Sequence, residues 1–432
     1  MNPVLRFPED QSQIQLAFAR DEQREGGIHA TVSDIIQNVK QNGDVALVEY
    51  AKEFDAIELS LEDLKVKPEV CARAWDNLDG SLKAALEYAR DGIQDFHEPQ
   101  RGNGFVINRP GVVLEQRIRP LKRVGCYVPG GRAIYPSTML MNIIPAQVAG
   151  VDEIVIATPP ATGGGENYVP YAVAHMLGVS GSVYQIGGAQ AVAALAFGTD
   201  TIPRVDKVVG PGNQFVALAK RLLYGTIDID SVAGTSEVLI IADENANADY
   251  IAADLLAQAE HTGGESVVLV GIGKFDFEAV FAALDRRVAA APRGEAMRSS
   301  LENGGVFISV ATVEYAIEIA ELKSPEHMEI LTADPEAVAD KVRNVGAIFI
   351  GPYTPEPIGD YVAGPNHVLP TGGTARFFSP LGVGAFMKAS NVLRFEREAF
   401  LDAAPHVIKL AESEGLFGHA DSIRARMKSE EK

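Results

Sequence analysis

A chain of 432 residues has room for roughly two to four structural units, and 47% hydrophobic with 22% charged residues is the balance of a soluble globular protein. Its 38 basic and 58 acidic residues leave a formal charge of −20, which argues against nucleic acid or an anionic membrane as the main partner. No apolar run of about 18 residues is present and the N-terminus lacks a secretory pattern, while only two cysteines, Cys71 and Cys126, fit a reducing, cytoplasmic setting and leave any metal to nitrogen and oxygen ligands.

Residues 1–100 read as mostly helical, with apolar residues at helical spacing broken by Asn42-Gly43. That pattern predicts a helical layer packed on something larger, with Cys71 and Trp75 in its core. From about residue 110, short β-branched runs alternate with alanine-rich helical runs. EIVIATPP (153–160), SVYQIGG (182–188) and DKVVGPGN (206–213) are each followed by a helix. A second series runs EVLIIAD (237–243), a helix over about 247–261, SVVLVG (266–271), a helix over about 275–288, GVFISV (305–310), a helix over 312–321 and AIFIG (347–351). Strand, turn and helix in repetition predict parallel sheets. The fold class expected is α/β: two tandem, incomplete Rossmann-like domains, with a helical N-terminal region and a helical C-terminal tail. That tail carries too little apolar surface to stand alone.

Three glycine turns, VPGG (128–131), IGGAQA (186–191) and VGPGN (209–213), each follow a strand. None matches G-x-G-x-x-G, so the dinucleotide fingerprint is absent. Three such turns on one sheet edge nonetheless suit a nucleotide, and Gln190 and Asn213 stand at helix starts where an amide reaches a ribose or phosphate. Of eight histidines, four have polar company. Gln258 and His261 lie three apart on one predicted helical face, which stops at Gly263-Gly264. Glu326 and His327 are adjacent after Pro325. Asp360 and His367 share a long Gly/Pro-rich loop, and Glu414 and His419 lie in the tail. A carboxylate beside an imidazole offers two bases. His175 and His406 read as surface or satisfied core residues, and His29 and His97 as exposed.

The residues that carry the chemistry lie in seven collinear segments: 124–151, 184–221, 236–243, 254–261, 324–330, 364–383 and 411–420. In these the chain resembles the histidinol dehydrogenase family. The resemblance implies an NAD-dependent alcohol and aldehyde dehydrogenase of histidine biosynthesis. Such an enzyme oxidises L-histidinol to L-histidine through two hydride transfers and a bound aldehyde, with one zinc ion per subunit. It implies zinc ligands at Gln258, His261, Asp360 and, from the neighbouring subunit, His419. It implies catalytic bases at Glu326 and His327. Substrate contacts fall on Ser236, His367 and Glu414 together with His327 and the metal ligands, and NAD contacts on Tyr127, Gln190 and Asn213. It implies a homodimer with exchanged C-terminal tails and shared active sites. The domains expected are an arm over 1–24, a metal and substrate domain over 25–127 plus 237–380, an NAD domain over 128–236, and a tail over 381–432. The chain departs from the family pattern at Arg132, Thr235 and Gly384. Arg132 suits an anionic group, so another amino- or sulfo-alcohol is the alternative substrate. A zinc hydrolase using Glu326 leaves the three glycine turns unexplained. A thiohemiacetal route is disfavoured because neither cysteine has a paired base.

Overall fold

The computed structural model describes residues 1–19, 27–130, 134–161, 165–232, 234–261 and 265–427. The chain forms two compact units, one of residues 1–100 and 121–386, the other of residues 101–120 and 387–432.

The larger unit holds two parallel sheets. The five-stranded sheet contains β4 (Arg123–Tyr127), β5 (Glu153–Thr158), β6 (Val183–Gln185), β7 (Lys207–Val209) and β8 (Asp228–Ile229), in the order β6-β5-β4-β7-β8. The six-stranded sheet contains β1 (Val4–Phe7), β9 (Glu237–Ala242), β10 (Ser266–Ile272), β11 (Gly305–Val310), β12 (His327–Leu331) and β13 (Ala347–Ile350), in the order β1-β11-β10-β9-β12-β13. Both wind outward from a central strand, β4 or β9, and then back to its other side. Each therefore has a switch point, at β4/β7 and at β9/β12.

The β9 and β10 runs are buried on both faces, which is why they read as unbroken apolar stretches. Side chains alternate by period two. Val238, Ile240, Val267 and Leu269 pack against the helices Ala248–Ala259, Phe277–Ala290 and Gly294–Gly304. Leu239, Ile241, Val268 and Val270 pack toward the helices Gln11–Phe18 and Val313–Lys323. The expected helical layer is present: Val32, Ile35, Ile36, Val39 and Leu47 join one core cluster with the helix Gly188–Phe197. Cys71 is buried and Trp75 half-buried, with Lys83 over its ring.

The smaller unit has a three-stranded antiparallel sheet, ordered β14-β3-β2, from β2 (Phe105–Arg109), β3 (Val112–Pro120) and β14 (Met387–Phe395). Two helices follow, Arg397–Ser413 and Phe417–Met427. This sheet departs from the expected domains: 101–120 falls in an expected α/β domain and 381–432 in an expected helical tail, yet Val112–Pro120 pairs residue for residue with Met387–Phe395. Every residue of β2 is exposed, so no alternating apolar pattern marks it. Phe105, Val106, Leu393, Phe395, Leu410 and Phe417 are also exposed.

Candidate active site

Two edges of the larger unit hold most of the residues expected at the site. At the carboxyl edge of the five-stranded sheet, the three glycine turns follow β4, β6 and β7. Gly210, with φ +111°, passes so close to the Tyr127 carbonyl oxygen that a Cβ there would collide with it. Its N–H donates to Asp230 Oδ2 (2.7 Å), its carbonyl accepts from Lys220 Nζ (3.0 Å), and Lys220 pairs with Asp230. Tyr127 is buried, its hydroxyl accepts the Gly188 N–H (3.2 Å), and burial pushes its pKa up to about 12. Gln190 is buried in the first turn of the following helix. Asn213 is exposed and caps the next helix, accepting from Phe215 and Val216 N–H (3.0 and 3.2 Å), so its amide NH2 remains for another partner. Arg132 lies outside the described residues.

The second edge is the amino end of the six-stranded sheet, at its β9/β12 switch point. Ligands of open α/β sheets ordinarily gather beyond carboxyl ends, so this placement is unusual. Here β12 begins at His327, paired with Val238 of β9. The helix Ala248–Ala259 runs back from β9 and brings Gln258 to the same edge. That helix ends sooner than its apolar periodicity predicts. His261 lies past its end and folds back, its Nδ1 3.0 Å from the Gln258 carbonyl oxygen, while Gly263-Gly264 lie outside the described residues. Asp360 is not in an irregular loop but on the short helix Glu356–Tyr361, which starts at a proline-flanked N-terminus. His367 is in the irregular segment beyond it.

Three imidazoles share one tautomer. A carbonyl oxygen only accepts, so a ring nitrogen facing one must donate. His327 Nδ1 faces the Glu237 carbonyl (3.0 Å), His261 Nδ1 that of Gln258, and His367 Nδ1 that of Asp360 (2.9 Å). Each Nε2 therefore carries the free lone pair when the ring is neutral. In His367 it accepts from the Thr138 hydroxyl (3.2 Å). In His327 it is buried without a hydrogen-bond partner, 3.6 Å from Asp360 Oδ1.

Carboxylates crowd this point. Glu326 Oε2 accepts the Glu237 N–H (2.9 Å) and lies 3.8 Å from His327 Nδ1. Burial pushes its pKa up to about 8. Glu356, which no sequence signal marks, lies 4.0 Å from His327 Nδ1 and, with the buried Gln258 amide oriented so that its nitrogen faces the carboxylate, receives both of its N–H groups (3.0 and 2.9 Å). Burial raises its pKa to about 7. For His327, burial opposes the charged ring, but Glu356, Glu326 and Asp360 outweigh it and hold the pKa well above its ordinary value. Burial pushes Asp360 up, and the imidazoles of His327, His367 and His261 together more than reverse that, so its pKa is lowered. Burial lowers that of His367. His327, Glu356 and Asp360 bring ligand atoms within 4.8 Å of one another, an all-nitrogen-and-oxygen group able to hold a metal ion. The ligand set expected from the family shares Asp360 with it, and Gln258 adjoins it through Glu356.

Next to Glu356 lies a carboxylate pair that is not among the expected site residues. Glu329 Oε1 accepts the Glu356 N–H (2.8 Å), and Oε2 is buried without a donor. It faces Asp254, and burial raises the two pKa values to about 9 and about 6. Two acceptors meet favourably only if they share a proton. Glu329 thus gains a proton on folding, and the stability this contributes is lost as pH climbs from 4.5 toward about 9. Glu329→Gln, which mimics the protonated acid, should flatten the fall of Tm between pH 6 and pH 9. Thermal melts with the same slope in variant and parent would refute the shared proton.

The remaining expected residues divide. Ser236 is half-buried immediately before β9, and its carbonyl accepts from Ser266 N–H (3.3 Å). Glu414 and His419 lie in the smaller unit, both exposed, at the end of one helix and in the first turn of the next. Thr235 is exposed, and nothing lies within 4 Å of a Cβ built at Gly384. His97, expected on the surface, is buried with Nδ1 2.7 Å from the Ile93 carbonyl, because its helix turns that face inward. His29, His175 and His406 are exposed. Both cysteines are buried, and burial raises Cys71 to about 11 and Cys126 higher still, so neither offers a ready thiolate.

A family model described as histidinol dehydrogenase matches residues 18–427. A histidinol dehydrogenase from Clostridium acetobutylicum is 44% identical over 434 residues, spanning 99% of this chain and 100% of that protein. One from Caldanaerobacter subterraneus subsp. tengcongensis is 48% identical over 395 residues, 91% of each. The crystal structure of histidinol dehydrogenase from Elizabethkingia anophelis matches with a TM-score of 0.90 at 32% identity, covering 99% of this chain and 98% of that one.

Proposed function

The chain belongs to the histidinol dehydrogenase family, and from that premise we propose that it oxidises L-histidinol to L-histidine by way of the aldehyde, with two NAD and one zinc ion per subunit. The observation that carries the reading is the buried Glu326-His327 pair, with His327 Nε2 free of any hydrogen-bond partner and 3.6 Å from Asp360 Oδ1.

The donor chemistry fits zinc: an amide oxygen, an imidazole whose other nitrogen is locked to a carbonyl, and a carboxylate, with His419 of a second subunit as the fourth. Zinc, when bound, supplies a fixed point for the amine and imidazole nitrogens of the substrate and neutralises part of the carboxylate field that holds the His327 proton. The turns at Gly188 and Gly210, with positive φ, suit the close approach of a dinucleotide, with contacts from Tyr127, Gln190 and Asn213. NAD, when bound, supplies the hydride acceptor for each oxidation.

With its ring neutral, His327 Nε2 takes the alcohol proton as the first hydride leaves the carbinol carbon. Glu326 Oε1 then takes a proton from the water that adds to the aldehyde, and the hydrate loses the second hydride. The sum is one histidinol, one water and two NAD giving histidine, two NADH and three protons. A base works best with its pKa near the working pH, and about 8 for Glu326 suits that task. Buried, protonated thiols take no part.

The reading includes a homodimer in which Glu414 and His419 of one subunit complete the site of the other. Its support is the smaller unit, where exposed apolar residues such as Leu393, Leu410 and Phe417 call for a covering surface. Glu326→Gln tests the division of labour. It should slow oxidation of L-histidinal by about a hundredfold or more while sparing oxidation of L-histidinol to the aldehyde. Equal losses in the two half-reactions would count against separate bases.

A further inference from the structure

One residue touches both bases through its backbone. Glu237, at the start of β9, donates its N–H to Glu326 Oε2 (2.9 Å) and accepts His327 Nδ1–H at its carbonyl (3.0 Å). The position of that residue therefore sets where Glu326 Oε1 points and which nitrogen of His327 is free. Its side chain is held in turn. Glu237 Oε1 lies 2.7 Å from Lys323 Nζ, with both side chains only 7% exposed, and Glu237 Oε2 has no hydrogen-bond partner. Lys323 is the last residue of the helix Val313–Lys323. The chain then turns sharply at the buried Ser324, with φ +48°, and reaches Glu326 through Pro325.

The arrangement is a closed clamp. The segment that carries the bases leaves the helix at Lys323, and the ion pair ties that helix end to the strand whose backbone receives the bases. Burying two charges is costly, and a well-packed apolar pair stabilises a fold as well or better. A charged pair at this place does what an apolar one does not: it fixes direction and distance between β9 and the end of the helix. Apart from Glu237, the Lys323 ammonium has the Phe18 ring, 5.7 Å away.

We propose that the Glu237–Lys323 ion pair is the positioning element of the Glu326-His327 pair, acting on both half-reactions through the Glu237 backbone. The proposal rests on the reading of Glu326 and His327 as the reacting bases.

Lys323→Met in the full-length, zinc-loaded enzyme tests it. Both half-reactions should slow by similar factors, on the order of a hundredfold, because displacement of a reacting group by about an ångström has that effect. KM for NAD should stay as in the parent, and Lys323→Arg should recover most of the rate. The even loss sets this variant apart from Glu326→Gln, whose loss falls on the aldehyde. A purely structural staple predicts a lower Tm with parental kcat in the folded fraction, and that result would overturn the proposal. Should Lys323→Met not fold, Glu237→Gln keeps the backbone and the shape of the side chain and carries the same two outcomes. If Glu326→Gln and His327→Asn themselves retain parental rates, the reading of the bases fails, whatever Lys323 does.

Discussion

Replacing His327 by Asn should lower NAD reduction with L-histidinol by about three orders of magnitude, the scale of a lost general base. The substitution is chosen because the Asn amide can still donate to the Glu237 carbonyl that now holds Nδ1. What it removes is Nε2, the buried nitrogen without a hydrogen-bond partner, 3.6 Å from Asp360. On the proposed ligand set zinc content should be unchanged, and so should KM for NAD, because Gln258, His261, Asp360 and the glycine turns are untouched. Steady-state kinetics with metal analysis checks this. A variant with parental kcat would show that another group takes the alcohol proton.

The second large effect concerns the shared site. His419→Asn should lose zinc and activity together, since on the proposed reading it is one ligand in a set of four. His327→Asn should be inactive while keeping its zinc. A mixed dimer of these two chains holds one doubly damaged site and one intact site. After random exchange at equal concentrations, roughly a quarter of the parental activity should return, as two-fold symmetry requires. No recovery after exchange verified by mass spectrometry would mean that His419 serves its own subunit or none. The exposed apolar residues of β2, β14 and the two C-terminal helices are what motivates the experiment.

What the sequence discloses follows from the range of the forces involved. β9 and β10 are legible because burial on both faces leaves an unbroken apolar run over Val238–Ala242 and Val267–Val270. The glycine turns are legible because close backbone approach at Gly210 excludes a side chain. Glu326 and His327 stand out as neighbours in the chain. Glu356, Glu237 and Lys323 do not, because each gains its meaning only from pairing across the fold. Lys323 meets Glu237 across 86 positions, and Glu356 meets Glu329 across 27. One local signal was available: a carboxylate inside the buried strand HMEIL is costly unless it is neutral or partnered, which marks Glu329. The antiparallel sheet stayed hidden for the opposite reason. β2 is exposed throughout, and β14 lies more than half the chain away from its partner β3.

Among these measurements, NADH yield per molecule of L-histidinol bears most directly on the account. With zinc-loaded enzyme, limiting L-histidinol and excess NAD, two NADH should form for each substrate consumed, with L-histidine as the only accumulated product. One NADH per substrate, with the aldehyde released into solution, would contradict a single site in which His327 and Glu326 serve successive oxidations.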